Sequence, residues 1–173
     1  MRRICIAAAI GLCALSVTGT SWANDRLWFG GGIGFGFGTV DYVEVAPIVG
    51  FSATKKLAVG GGIIYRYRDD GRYPGGLSTN DYGANVFGRY HFLPALFGQV
   101  EYEYLSYEFV QFDLTTDRDN FNSVLVGPGF SQRAGKRVSF YATALYNLSY
   151  DSDEFPSPYD DEWVFRVGVG VGF

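Results

Sequence analysis

The stretch WFGGGIGFGFG, residues 28–38, constrains the fold more than any other part of the sequence, because its two alternating faces differ completely. Successive side chains of a β-strand point to opposite sides. One face of such a strand carries Phe29, Ile33, Phe35 and Phe37, whereas the other carries a row of glycines. Glycine weakens a strand interior and packs nothing, so the pattern favours a crowded surface on the glycine side, as in the lumen of a small barrel.

The rest of the chain continues this alternation in segments of about ten residues that are bounded by turn signals. The predicted strands are 27–38, 41–51, 57–68, 80–92, 96–108, 120–132, 138–150 and 162–173. Connections after the second, fourth and sixth segments are short, and those after the third, fifth and seventh are long and polar. Short turns on one side and long loops on the other predict an all-β, eight-stranded, antiparallel, up-and-down transmembrane β-barrel.

A soluble barrel of lipocalin type is the main competing fold, because alternation alone does not say which face points inward. Aromatic residues favour the membrane barrel, since they gather near both ends of the predicted strands. Two such belts suit the two interfaces of a bilayer. A row of glycines facing water would also weaken the strands with no packing in return. The apolar face is therefore predicted to meet lipid and the glycine face to line the lumen.

The amino terminus has the pattern of a cleaved export signal. Arg2 and Arg3 precede an apolar stretch over 4–17, and small residues lie at Ser21 and Ala23. We expect residues 1–23 to be a signal peptide and residues 24–173 to be the barrel domain. Both cysteines, at positions 5 and 13, would leave with the signal peptide. The remaining chain has 12 basic residues (14 minus 2) against 18 acidic ones, which argues against binding to nucleic acid.

The carboxyl terminus, FRVGVGVGF, resembles the last strand of bacterial outer-membrane β-barrel proteins, which their assembly machinery recognises. With the signal peptide and eight strands, the whole mature chain resembles the small OmpA/OmpX-like outer-membrane barrel family. The resemblance implies a monomer in the outer membrane, in contact with lipid and lipopolysaccharide and inserted by the assembly machinery. The residues that would form the assembly signal are Trp163, Phe165, Val167, Val169, Val171 and Phe173.

Alternation places a set of charged residues on the lumen face. They are Glu44, Arg66, Arg68, Asp81, Arg89, Glu101, Glu103 and Arg166. Four acids meet four arginines, and in a narrow lumen such groups must pair, because an isolated desolvated charge is costly. The expected result is a plug of ion pairs. A gated pore or a small-ligand site remains the alternative. Bulky lumen residues at Phe87, Leu125, Tyr141 and Leu145 are expected to fill the space that the glycines leave.

The sequence offers little for catalysis or for a cofactor. His91 is the only histidine, lies beside a short turn and has no serine neighbour, so the paired His and Ser of the outer-membrane lipid A deacylases is missing. The glycine runs lack both a dinucleotide-binding and a Walker pattern. Residues 151–161 are rich in carboxylates but lack the spacing of a calcium loop. We therefore expect no cofactor, no metal and no enzymatic activity.

The predicted role is structural or one of surface interaction, through the long loops 69–79, 109–120 and 151–161. A narrow channel or a small-ligand-binding barrel is the alternative, and a lipid-modifying enzyme is less favoured. Basic residues also cluster on the short turns, at Lys55, Lys56, Arg133, Lys136 and Arg137. The barrel fold does not require that asymmetry, and the sequence gives no reason for it.

Overall fold

A computed structural model describes residues 26–37, 39–71, 76–110, 116–135, 137–151 and 157–172. Eight β-strands account for most of them. The strands are β1 (Leu27–Gly36), β2 (Val40–Ser52), β3 (Leu57–Asp70), β4 (Leu77–His91), β5 (Leu96–Val110), β6 (Thr116–Arg133), β7 (Val138–Asn147) and β8 (Trp163–Val171). Within the described ranges, no helix is long and apolar enough to cross a membrane.

The strands form one closed barrel in sequence order, with every neighbouring pair antiparallel. Seven residue pairs between β1 and β8, from Phe29 with Val171 to Phe35 with Phe165, close it. The predicted all-β, eight-stranded antiparallel fold is confirmed. We call the end with connections 53–56, 92–95 and 134–137 the short-turn end, and the opposite end the long-loop end.

Four strands extend further toward the long loops than the alternation predicted. Asp69 pairs with Ser78 across β3 and β4, and Phe109 pairs with Asp117 across β5 and β6. The first two long connections are therefore shorter than the predicted loops 69–79 and 109–120. The alternation pattern did not predict these extensions, because it depends on apolar residues and the extensions carry mostly polar ones.

The outward and inward faces differ in polarity as the alternation predicted. Outward positions such as Ile63, Val86 and Phe165 are exposed and apolar, whereas the inward face of the described strands buries sixteen polar or charged residues. Ile63 is 66% exposed and its neighbour Ile64 only 3%, which shows how completely one step along a strand changes the environment. The two faces of one sheet thus require two different surroundings.

Five of the inward glycines lie directly opposite aromatic residues on an adjacent strand. The directly opposed pairs are Gly36 with Tyr42, Gly50 with Trp28, Gly60 with Phe87, Gly129 with Phe97, and Gly168 with Tyr141. In every pair the aromatic side chain lies so close to the glycine that an added Cβ would collide with it. The glycines therefore make room for aromatic side chains that lie flat against the barrel wall.

Two apolar clusters fill much of the interior. The first lies at the short-turn end and contains Trp28, Ile48, Ala58, Phe87, Phe97 and Tyr141. The second extends toward the long loops and contains Tyr42, Ala46, Ile64, Leu105, Tyr107, Phe121, Leu125, Leu145, Tyr159 and Val164. Phe87 and Tyr141 cover glycines of the strands beside them, whereas Leu125 and Leu145 join the second cluster. The space beside Gly60 and Gly168 is thus occupied by aromatic side chains of the neighbouring strands.

Candidate functional site

Two arginines and three glutamates form the centre of the charged lumen. Glu44 of β2 lies directly opposite Arg66 of β3, and its Oε2 accepts hydrogen bonds from Nη2 at 2.6 Å and from Nε at 3.2 Å. Its other oxygen, Oε1, accepts from Nε of Arg166 at 2.8 Å. One carboxylate of β2 is thereby held between arginines of two other strands.

Arg166 connects opposite walls of the barrel. From β8 its Nη1 reaches Glu101 Oε1 and its Nη2 reaches Glu103 Oε2, both at 2.5 Å and both on β5. Glu103 also lies 3.6 Å from Arg66 Nη2. All of these side chains are at most 7% exposed. The network therefore crosses the lumen and ties β2, β3, β5 and β8 together.

Tyr159 enters the network from the connection between β7 and β8. Its hydroxyl donates to Glu103 and accepts from Arg66 Nη2 at 2.9 Å, and its side chain is 2% exposed. The guanidinium of Arg66 lies between two rings, 4.5 Å from the centroid of Tyr42 and 4.6 Å from that of Tyr159. Burial raises the pKa of Tyr159 well above its usual value, which keeps the hydroxyl protonated as a donor.

A second ion-paired group lies nearer the long-loop end. Arg68 of β3 donates from Nε to Asp81 Oδ2 at 2.9 Å and from Nη1 to Asp70 Oδ2 at 3.2 Å. Its Nη2 donates to the main-chain carbonyl of Glu108 at 2.5 Å. All three charged side chains are essentially buried. This group joins β3 to β4 and to β5.

Arg89 is placed differently from the other lumen arginines. Its Nε donates to Gln99 Oε1 at 2.7 Å, and Gln99 Nε2 donates to Glu101 Oε2 at 2.6 Å. Asn85 Nδ2 also donates to Glu101, at 2.6 Å. No described carboxylate forms an ion pair with Arg89. The neutral amide of Gln99 thus bridges Arg89 and Glu101 of the central network.

The structure thus places all eight of the predicted lumen charges inside the barrel and brings seven of them into ion pairs. Sequence reasoning missed Asp70 and Tyr159. Asp70 was assigned to a loop because the alternation of β3 stops being apolar before the strand ends. Tyr159 lies in the predicted acidic loop 151–161, where Pro158 beside it is a weak sign of local packing that does not indicate an inward position.

The residues of the proposed assembly signal lie on the outer face where they can be described. Trp163, Phe165, Val167, Val169 and Val171 are all exposed on β8. Phe173 and the predicted signal peptide, residues 1–23, lie outside the described residues, as do residues 152–156 of the acidic loop. Among the described residues no group of three or more His, Cys, Asp or Glu side chains is arranged to hold a metal ion.

Together these features define a class: a closed, eight-stranded antiparallel barrel with an apolar exterior and an ion-paired interior. No protein-family model and no curated protein matches the sequence. Among solved structures, the chain is similar to the N-terminal beta-barrel domain of Pseudomonas aeruginosa OprF, with a TM-score of 0.53 and 12% sequence identity. The match covers 86% of this chain and 98% of that domain. At this identity the likeness establishes the fold and nothing finer.

Proposed function

We propose that this chain is an outer-membrane β-barrel protein with a structural or surface-interaction role and a lumen held shut by its own ion pairs. The observation behind the proposal is the distribution of polarity, with exposed apolar side chains outside and buried arginines and carboxylates inside. A soluble barrel would place the apolar face inside. A bilayer favours the observed arrangement, because a closed barrel satisfies its backbone hydrogen bonds internally and presents an apolar band to lipid.

The ion pairs support a plug in preference to an open channel. Arg166 reaches carboxylates on β2 and β5, so the central network crosses the lumen from wall to wall. Tyr159 packs on the long-loop side of this network, where its ring lies against Arg66 and its hydroxyl contacts Glu103. Water and ions would have to displace several short, buried hydrogen bonds in order to pass.

Export and insertion follow from the sequence. Residues 1–23 are proposed to direct secretion and to be removed, and the outward row of β8 with Phe173 is proposed to be the signal for the assembly machinery. The short turns would then face the periplasm and the long loops the exterior. The proposed partners are lipid and lipopolysaccharide, with an extracellular partner at the long loops. Among the described residues of the last loop, Ser157 and Tyr159 are buried and are therefore not available to such a partner.

Planar-bilayer recording tests the closed lumen. We expect the unchanged protein to give no steady conductance. Arg66→Ala removes a partner of Glu44, Glu103 and Tyr159, and we expect it to open a leak and to lower the thermal stability. Arg118→Ala, which removes an ion pair with Glu108 at the partly exposed long-loop end, is the matched control and should do neither.

Large, regular conductance from the unchanged protein would contradict the plug and support the narrow-channel alternative. If Arg66→Ala changed neither the conductance nor the thermal stability, the proposed role of the ion pairs would be wrong, although the lumen could still be closed by other side chains. The enzyme alternative gains no support from His91, which packs against Phe97 with the ring centroids 5.3 Å apart.

A further inference from the structure

The barrel interior is incompletely filled at the short-turn end. A cavity of about 890 Å³ opens there, between the turns that join β2 to β3 and β4 to β5. We call it the vestibule. Strand residues such as Trp28, Phe97 and Tyr141 line it with their inward-facing side chains. Because these residues face the lumen, the vestibule opens to solvent beyond the turns and not to the lipid outside the barrel.

The charges that line the vestibule have one sign. The cationic side chains are Arg26, Lys55, Lys56, Arg89 and Arg133. None of the described lining residues is an Asp or a Glu. The central lumen is built differently, because every arginine there has a carboxylate partner. Three of the basic residues at the short-turn end, Lys55, Lys56 and Arg133, thus converge on a concave surface.

Arg89 gives the vestibule a buried cation. It is 7% exposed, and its charged group lies among four rings, at 4.4 Å from the centroid of Tyr141, 4.5 Å from Phe87, 5.2 Å from Phe97 and 5.6 Å from Trp28. Its hydrogen-bond partners, Gln99 and Tyr141, carry no charge. Aromatic rings offset only part of the free energy that a cation loses when it is removed from water, and a neighbouring anion offsets more of it. An anionic group of a ligand at this site would therefore stabilise the buried charge of Arg89.

We propose that the vestibule binds a small, soluble organic anion that has an apolar or aromatic body and two or more negative charges. The rings of Trp28, Phe97 and Tyr141 would hold the body, while Arg89 and the cations at the rim would hold the charged groups. The volume lies within the range of about 300 to 1,000 Å³ that is usual for small-molecule sites. This proposal does not depend on the proposed closed lumen, since the vestibule lies on one side of the plug.

The probe for the test is 1-naphthyl phosphate, added to the folded protein in zwitterionic detergent micelles. The indole N–H signals of Trp28 and Trp163 are followed by NMR, because Trp28 lines the vestibule and Trp163 lies outside, near the long-loop end. We expect a saturable shift of the Trp28 signal with the Trp163 signal unchanged. Inorganic phosphate and 1-naphthol should each bind more weakly, because each supplies only half of the recognised chemistry.

Two arginines near the turn between β6 and β7 provide a matched pair of variants. Arg133 lines the vestibule, whereas Arg137 is exposed at the same end but does not line it. Arg133→Gln should weaken binding about two- to fivefold, which is the effect of one exposed charge, and Arg137→Gln should leave it unchanged. Both substitutions are at the surface, so folding is preserved. Equal losses in the two variants, equal shifts of the two indole signals, or no shift at all would overturn the proposal.

Discussion

Arg166 is the residue on which the buried charges depend most. It forms ion pairs with Glu44, Glu101 and Glu103, and so serves carboxylates from two strands of the barrel. An arginine suits this position because its planar group offers five N–H donors in a fixed arrangement. A lysine would present three donors on a single nitrogen, which could not reproduce the separate contacts that Nε, Nη1 and Nη2 of Arg166 make.

Removing the Arg166 charge should destabilise the barrel strongly. Arg166→Leu leaves Glu44 and Glu103 with Arg66 alone and removes the one described ion pair of Glu101. Removing one partner of a buried ion pair costs about 3 to 5 kcal/mol. Arg118→Ala removes an exposed pair, which is worth at most about 1 kcal/mol. The free energy of unfolding in urea, measured in the same detergent for both variants, is the relevant quantity. Equal effects from the two substitutions would mean that the lumen network adds little to stability.

Much of the charged lumen could be predicted residue by residue, because strict alternation assigns a face to each strand position. Arg66 and Glu44, for example, follow from parity and neighbouring strand order alone. Asp70 could not be predicted, since its strand continues through polar residues. Tyr159 could not either, because no periodicity describes how an irregular connection folds back into the barrel. Asp70 and Tyr159 thus lie where no local sequence pattern applies and where tertiary contacts determine the position of the side chain.

At the scale of the strands, glycine and aromatic residues form complementary pairs across neighbouring backbones. The register between β3 and β4 places Gly60 opposite Phe87, and that between β7 and β8 places Gly168 opposite Tyr141. A slip by one residue would turn each aromatic side chain to the other face of the sheet. The pairs therefore help to select the register as well as to fill the lumen.

A pair of glycine substitutions tests this role. In Gly60→Ala the new methyl group would lie 2.6 Å from the Phe87 ring and 2.7 Å from the Val49 carbonyl oxygen, so we expect a loss of about 1 to 3 kcal/mol through overpacking. Gly88, on the outward face of β4, has nothing within 4 Å of such a group. Gly88→Ala should be neutral or slightly stabilising. The two unfolding free energies, measured side by side, distinguish crowding from a general intolerance of side chains at glycine positions.

At the scale of the whole molecule, the outer face of the barrel is apolar and its ion-paired residues are buried, which reverses the usual distribution of charge in a soluble protein. The number of strands, their antiparallel order and the orientation of their faces were all predictable, because each follows from repeated alternation and turn length. The strand ends near the long loops were not, since hydrogen bonding between strands extends there without apolar side chains. The vestibule could not be predicted either, because it depends on how turns from different strands come together.

The orientation of the barrel wall in a bilayer can be tested at one pair of neighbouring residues. Ile63 and Ile64 have the same side chain and adjoin each other on β3, but Ile63 is 66% exposed outward and Ile64 is 3% exposed inside. The cysteines of the sequence lie at positions 5 and 13, within the segment proposed to be removed, so a single introduced thiol can be labelled alone. In lipid vesicles we expect a lipid-soluble maleimide to label Ile63→Cys rapidly and Ile64→Cys slowly. A charged, water-soluble maleimide should label neither quickly, because lipid covers one thiol and packed side chains cover the other. Fast labelling of Ile63→Cys by the charged reagent would place that face in water and would favour the soluble barrel instead.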